Sequence, residues 1–192
     1  MWFNNAYIYK FTKPFNSSET DITEALQENL FRPCGSQDQI KQGWVAPIPG
    51  TEALSHSASN NILLCLKSEE KILPTAVIKE ALEEKVQLIQ NERGQKVGKK
   101  EKQTLKEEII QQLLPKAFSK NSRLYAYINI KDQLIIVNTS SANKAENLLA
   151  MLRQSLGSLP ILPHKPDSEL IITMTNWVKN DDLPAPFEFA QD

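Results

Sequence analysis

Cysteine and glycine are scarce in this chain of 192 residues, and no long apolar run is present. Cys34 and Cys65 are the two cysteines, too few for a disulfide framework, and they fit a reducing cytoplasm. The six glycines form neither a GxGxxG nor a GxxxxGKS/T loop, which excludes the common phosphate cradles. Apolar runs stop at about five residues, as at Ile62-Leu63-Leu64-Cys65-Leu66, far short of the roughly 20 needed to cross a bilayer. The N-terminal Met1-Trp2-Phe3-Asn4-Asn5 has no basic region and no cleavable apolar stretch, so no signal peptide is read there. With 41% hydrophobic and 23% charged residues, the composition is that of a folded protein, not a disordered one. The expected placement is cytoplasmic, away from membranes.

A formal net charge of −1 argues at first against a nucleic-acid partner. The total hides the arrangement. Between Arg93 and Arg123 lie Arg93, Lys96, Lys99, Lys100, Lys102, Lys106, Lys116, Lys120 and Arg123, against Glu101, Glu107 and Glu108. That segment carries +6 and the rest of the chain −7, with −5 from Asp167 onward. A clustered positive field attracts phosphates even on a near-neutral protein, because screening keeps it local, over about 8–10 Å at physiological salt. The same cluster also reads as a merely solvated helical face.

Residues 5–11 are aromatic and branched and read as a strand. Ser18 and Asp21 form a capping pair for a helix whose apolar face is Ile22, Ala25, Leu26 and Leu30, ended by Pro33. A turn-rich stretch follows, with a short strand around Trp44-Val45. Residues 61–67 read as a buried strand, with Glu69-Glu70-Lys71 leading out of it. Pro74 suits the first turn of a long helix carrying Ile78, Ala81, Leu82, Val86 and Ile89 to about Gln90. A joint with Gly94 and Gly98 leads to a second helix over about 100–114, with Leu105, Ile109, Leu113 and Ile110, Leu114 on adjacent rows. Two such helices joined by a short loop pack antiparallel, which sets the basic residues at the tip and along one flank.

Residues 123–130 and 133–138 predict two strands joined through Lys131-Asp132, the second apolar on both faces and therefore central. Ser140 or Ser141 caps a helix with Ala145, Leu148, Leu149, Leu152 and Leu156 inward, closed by Gly157. Residues 170–175 suggest a further strand. The expected fold class is α+β, a mixed strand and helix core with an inserted amphipathic helical hairpin. Residues 1–72 and 117–170 would form a discontinuous core and 73–116 the hairpin with its basic tip. Residues 171–192 would begin an acidic C-terminal region.

Groups for catalysis are sparse. Cys34, His56, Cys65 and His164 lack the close pair spacing of zinc ligands, so no metal and no cofactor is assigned. Cys34, in a turn, has no partnered histidine nearby in sequence, and Cys65 reads as a small buried hydrophobe. The acidic pair Asp181-Asp182 could bind a divalent ion in a nuclease, but in an acidic tail it reads better as solvated charge. Trp2, Trp44 and Trp177 read as anchors in the core or at an interface, with base stacking as the alternative. Phe118 sits between Lys116 and Lys120 where the helix must already have ended. It is either a core plug or a partner contact.

Several segments together resemble the bacterial recombination-associated RdgC family: Phe31-Arg32-Pro33-Cys34-Gly35-Ser36-Gln37-Asp38, Gly43-Trp44-Val45 and Glu69-Glu70-Lys71-Ile72-Leu73-Pro74 in the first half. Leu113-Leu114-Pro115-Lys116-Ala117-Phe118-Ser119, Leu152-Arg153-Gln154-Ser155-Leu156-Gly157-Ser158-Leu159-Pro160 and Asn176-Trp177-Val178 follow in the family's order. The resemblance implies a nucleoid-associated protein without enzymatic activity that binds double-stranded DNA with little sequence preference. It further implies homodimers, curved subunits pairing into a ring around the duplex and restraining RecA. Under that expectation the nine basic residues above are the DNA-binding set and Phe118 is a dimer contact. Family members continue past the region of Pro186-Phe187-Glu188-Phe189, so the chain reads as C-terminally truncated. A second expectation, from another class, is a protein-interaction module whose hairpin docks RecA or another acidic partner.

Overall fold

The computed structural model describes residues 3–165, 170–181 and 183–185. In chain order the elements are β1 (Tyr7–Phe11), α1 (Glu19–Gln27), β2 (Ile40–Val45), β3 (Ser55–Ala58), β4 (Asn61–Lys71), α2 (Thr75–Arg93) and α3 (Lys99–Leu113). A 3-10 turn at Leu114–Lys116 leads into β5 (Ser119–Asn129), β6 (Leu134–Val137), α4 (Ala142–Leu156), β7 (Ile161–Pro163) and α5 (Leu170–Asn180). The class is α+β. All strand pairs are antiparallel in a seven-stranded sheet ordered β2-β4-β5-β6-β1-β7, with β3 also on β4.

The spine is the β4–β5 ladder, paired from Asn61↔Asn129 to Lys71↔Ser119. One face alternates Ile62, Leu64 and Leu66 on β4 with Ala126 and Ile128 on β5, then Ile135 and Val137 on β6 and Tyr9 and Phe11 on β1. Against it pack Ile22 and Leu26 of α1 and Ala145, Leu148, Leu149 and Leu152 of α4. A large side chain buried this fully contributes about 1.5–3 kcal/mol relative to exposure, so this face holds the fold together. Trp44 belongs to the same core, with its indole N–H donating to Ser155 Oγ at 2.9 Å.

Local signals carry the connections. Ser18 and Asp21 form the expected capping box, Ser141 caps α4 by accepting from the Lys144 N–H, and Gly157 closes α4 in the left-handed conformation. Ser59 and Asn60, both at positive φ, make the tight turn between β3 and β4. Gly43 is required by contact: a Cβ there would sit 2.3 Å from the Phe31 Cα, where the chain after α1 runs beside β2.

Several expectations shift. The strand read at 170–175 is the start of α5: Ile171, Met174 and Val178 recur at helical spacing, and their branched neighbours disguised it. β4 does not end near Lys67 but runs through Glu69-Glu70-Lys71, because β5, beginning at Ser119 and not Arg123, supplies partners for the whole length. The edge strands β3 and β7 were not anticipated. β7 tolerates Pro163 because an edge strand need not donate on both sides.

Candidate nucleic-acid interface

Helices α2 and α3 leave the sheet where β4 ends and return where β5 begins. They carry a small core of their own, Val86, Val97 and Leu105 with Leu82 and Ile89 packed against it, separate from the main one. Val97, in the connecting loop, plugs the tip. Gly94 ends α2 at φ 66°, its N–H donating to the Gln90 carbonyl at 2.9 Å, and the chain reverses within five residues.

This reversal sorts the charges of α3. Glu101 and Glu108, two turns apart, face α2. Glu101 holds the Arg93 guanidinium at 2.7 Å and Glu108 holds the Lys85 ammonium at 2.8 Å. Lys99, Lys102 and Lys106 recur at spacings of three and four residues and form a row on another flank. All three are exposed, and none has an ion-pair partner among the described residues. From Lys99 to Lys106 the row rises about 10 Å, the axial length of roughly three phosphates on one DNA strand. Lys96 in the loop and Lys100 in the first turn of α3 extend the positive tip and are also exposed.

The other expected basic residues are not part of this row. Lys116 lies on the 3-10 turn at the hairpin's root. Lys120 and Arg123 are both exposed on β5, but three residues apart on a strand they face opposite sides of the sheet. Lys120 pairs in register with Glu70, and Arg123 with Lys67. Lys67 in turn sits 4.1 Å over the Phe31 ring.

Phe118 is 85% exposed and so does not plug the core formed by the described residues. Its carbonyl accepts from the Ile72 N–H at 2.7 Å. Ile72 and Ile40, both exposed, lie at the same end of the sheet and were not singled out from sequence. The signal available was a branched apolar residue at each element end, which reads equally well as core.

The remaining candidates are dispersed. Burial, then the Glu69 and Asp38 carboxylates, pushes the Cys34 thiol above its ordinary value, and burial does the same to Cys65. Among the described residues no group of three or more His, Cys, Asp or Glu is placed to hold a metal ion. Asp181 follows α5 at a positive φ, and Asp182 and Trp2 lie outside the described residues. Trp177 is half-buried on α5. No described helix is long and apolar enough to cross a membrane.

Comparison with known proteins decides the family. The family model described as "Putative exonuclease, RdgC" matches residues 1–192. The chain belongs to the RdgC family. Recombination-associated protein RdgC of Aeromonas hydrophila is 47% identical over 193 aligned residues, that of Psychromonas ingrahamii 44% and that of Shewanella oneidensis 47%. Each alignment covers 100% of this chain and 64% of the relative, so the chain spans just under two thirds of these RdgC proteins' length. The family description names an exonuclease, whereas these relatives are named for recombination.

Proposed function

We propose that this RdgC-family chain binds double-stranded DNA through the phosphate backbone, without sequence preference, by the Lys99–Lys102–Lys106 row and the basic tip beside it. The observation carrying this reading is the charge sorting on α3: its hairpin-facing acids are paired, while the lysine row has no ion-pair partner among the described residues. Lysines on one regular flank release condensed counterions from successive phosphates and read no base edges. Lys116, at the hairpin's root, acts as a secondary contact. The protein acts by occupying DNA, which restrains RecA-mediated strand exchange in the nucleoid, and carries out no chemistry of its own. Phe118, with Ile40 and Ile72, forms the self-association contact of a homodimer that encloses the duplex.

Titration of unrelated duplexes at several salt concentrations tests this. Affinity is expected to be independent of sequence and to fall with salt by about 0.9 log unit per log unit for each phosphate neutralised. The triple change Lys99→Glu, Lys102→Glu and Lys106→Glu reduces that slope by about 2.7. An unchanged slope overturns the assignment. The exposed apolar patch at the hairpin's root favours one other reading, a hairpin docking RecA or another acidic protein. In that case the triple variant keeps its DNA affinity and loses its effect on RecA.

A further inference from the structure

The core packs on one face of the sheet; the other face carries a different chemistry. On β5, Tyr127, Tyr125 and Arg123 stand at alternate positions and therefore point to the side away from Ala126 and Ile128. Cross-strand partners bring Leu63 and Ile136 beside Tyr127, and Lys67 beside Arg123. At the end of this aromatic line an open cavity of about 680 Å³ is lined by Phe3, His56, Ala58, Asn61, Leu63, Tyr127 and Asn129. The Phe3 and Tyr127 rings meet at 5.4 Å between centroids, tilted by 56°. The Asn129 amide is held by Asp132, whereas Asn61 Oδ1 is a buried acceptor with no hydrogen-bond partner among the described residues.

We infer that this cavity receives one unpaired nucleobase of a single-stranded DNA whose backbone runs along β5 toward Arg123 and Lys67. The described lining residues are aromatic, aliphatic, amide and imidazole, with no carboxylate, lysine or arginine among them, which suits a flat ring and not a phosphate. The volume lies within the usual range for small-molecule sites and accommodates a nucleoside. Stacking on aromatic side chains of an antiparallel sheet is a recurrent way of holding unpaired bases.

The spacing outside the cavity fits a strand. Tyr127 to Arg123 spans about 13 Å along β5, room for roughly two nucleotides, with the Tyr125 ring between as a second stacking surface. Lys10 lies two strands away in the row Asn129↔Leu134↔Lys10, about 10 Å to the side. The cations thus stand around an aromatic centre, as a phosphodiester chain carrying splayed bases requires. This site is separate from the lysine row of α3, and it stands or falls without it.

The test uses short deoxyadenosine and deoxycytidine oligomers, an abasic oligomer of equal length and a blunt duplex, read by tyrosine fluorescence and anisotropy. The base-bearing oligomers are expected to bind roughly tenfold or more tightly than the abasic one, within the range of a stacked base. Phe3→Ala, at a half-buried position, and Tyr127→Leu should each erase most of that difference and leave duplex affinity unchanged. Circular dichroism checks that Tyr127→Leu is folded; Phe3→Ala decides the matter if it is not. Deoxyadenosine monophosphate should compete only weakly, because it lacks the phosphates that reach Lys67 and Arg123. Equal binding of the abasic oligomer, unaltered binding by Phe3→Ala, or competition by the mononucleotide as strong as by the strand overturns the proposal.

Discussion

The Arg93 guanidinium donates to Glu101 Oε1 at 2.7 Å, tying the end of α2 to the first turn of α3. The bond removes the nominal tip arginine from the pool of unpaired cations. Both side chains are substantially exposed, 62% and 40%, so the pair contributes at most about 1 kcal/mol to stability. Its larger effect is on charge. Glu101→Gln is expected to leave the melting temperature nearly unchanged, to raise duplex affinity and to steepen the salt dependence by up to about 0.9. Anisotropy titrations across a salt series measure both quantities. Weaker binding of the variant would mean that Arg93 needs Glu101 to hold it in place.

Phe118 offers a clean separation of folding from assembly. A side chain 85% exposed makes little contribution to the core, so Phe118→Ser should change stability by no more than about 0.5 kcal/mol. The backbone bond from Ile72 is retained, since it uses the Phe118 carbonyl. Sedimentation or light scattering is expected to show a self-associating wild-type chain and a monomeric variant. A variant that associates as well as the wild type removes Phe118 from the interface.

What was legible in sequence was what local chemistry determines. The Ser18–Asp21 capping box, the Ser141 cap and the long hairpin with Gly94 at its turn follow from neighbours within a few residues. The row of Lys99, Lys102 and Lys106 was legible as a spacing. That Glu101 and Glu108 turn toward α2 was not, because it depends on how two helices align across a reversal. Grouping Lys120 with Arg123 ignored the two-residue period of a strand whose start near Ser119 becomes visible only through its pairing with β4. The aromatic line Tyr127-Tyr125-Arg123 was hidden for a related reason. Tyr125 and Tyr127 alternate with core residues, and nothing local says which side of the sheet carries the helices. The strand expected at 170–175 failed because isoleucine and threonine favour strands as residues while their spacing here is helical.

Ser155 is a buried hydroxyl that receives two donors, the Trp44 indole N–H at 2.9 Å and the Asn29 amide at 3.0 Å. It joins α4 to β2 and to the segment after α1. Ser155→Ala strands the Trp44 N–H in a site with no solvent access, at a cost of about 1–3 kcal/mol. For a chain of this length each kcal/mol lowers the melting temperature by about 2–4 °C. Thermal denaturation should therefore show a drop of roughly 2–12 °C. Duplex affinity should not change, because the network lies in the main core and the lysine row lies on the hairpin.

Tyr9 gives the fold a dependence on alkaline pH. Its hydroxyl donates to Glu146 Oε1 at 3.0 Å, and burial, together with that carboxylate, pushes its pKa up to about 12. In the unfolded chain the phenol titrates near 10. Below pH 10 both states hold the proton and the contribution is fully present. Between about 10 and 12 the unfolded chain has released a proton that the folded one keeps, so stability falls by about 1.4 kcal/mol per pH unit from this group. Tyr9→Phe lacks both the bond to Glu146 and this titration. Urea denaturation from pH 8 to pH 11 is expected to show the wild type losing its advantage over the variant above pH 10. A constant difference across that range would show that Tyr9 titrates alike in both states.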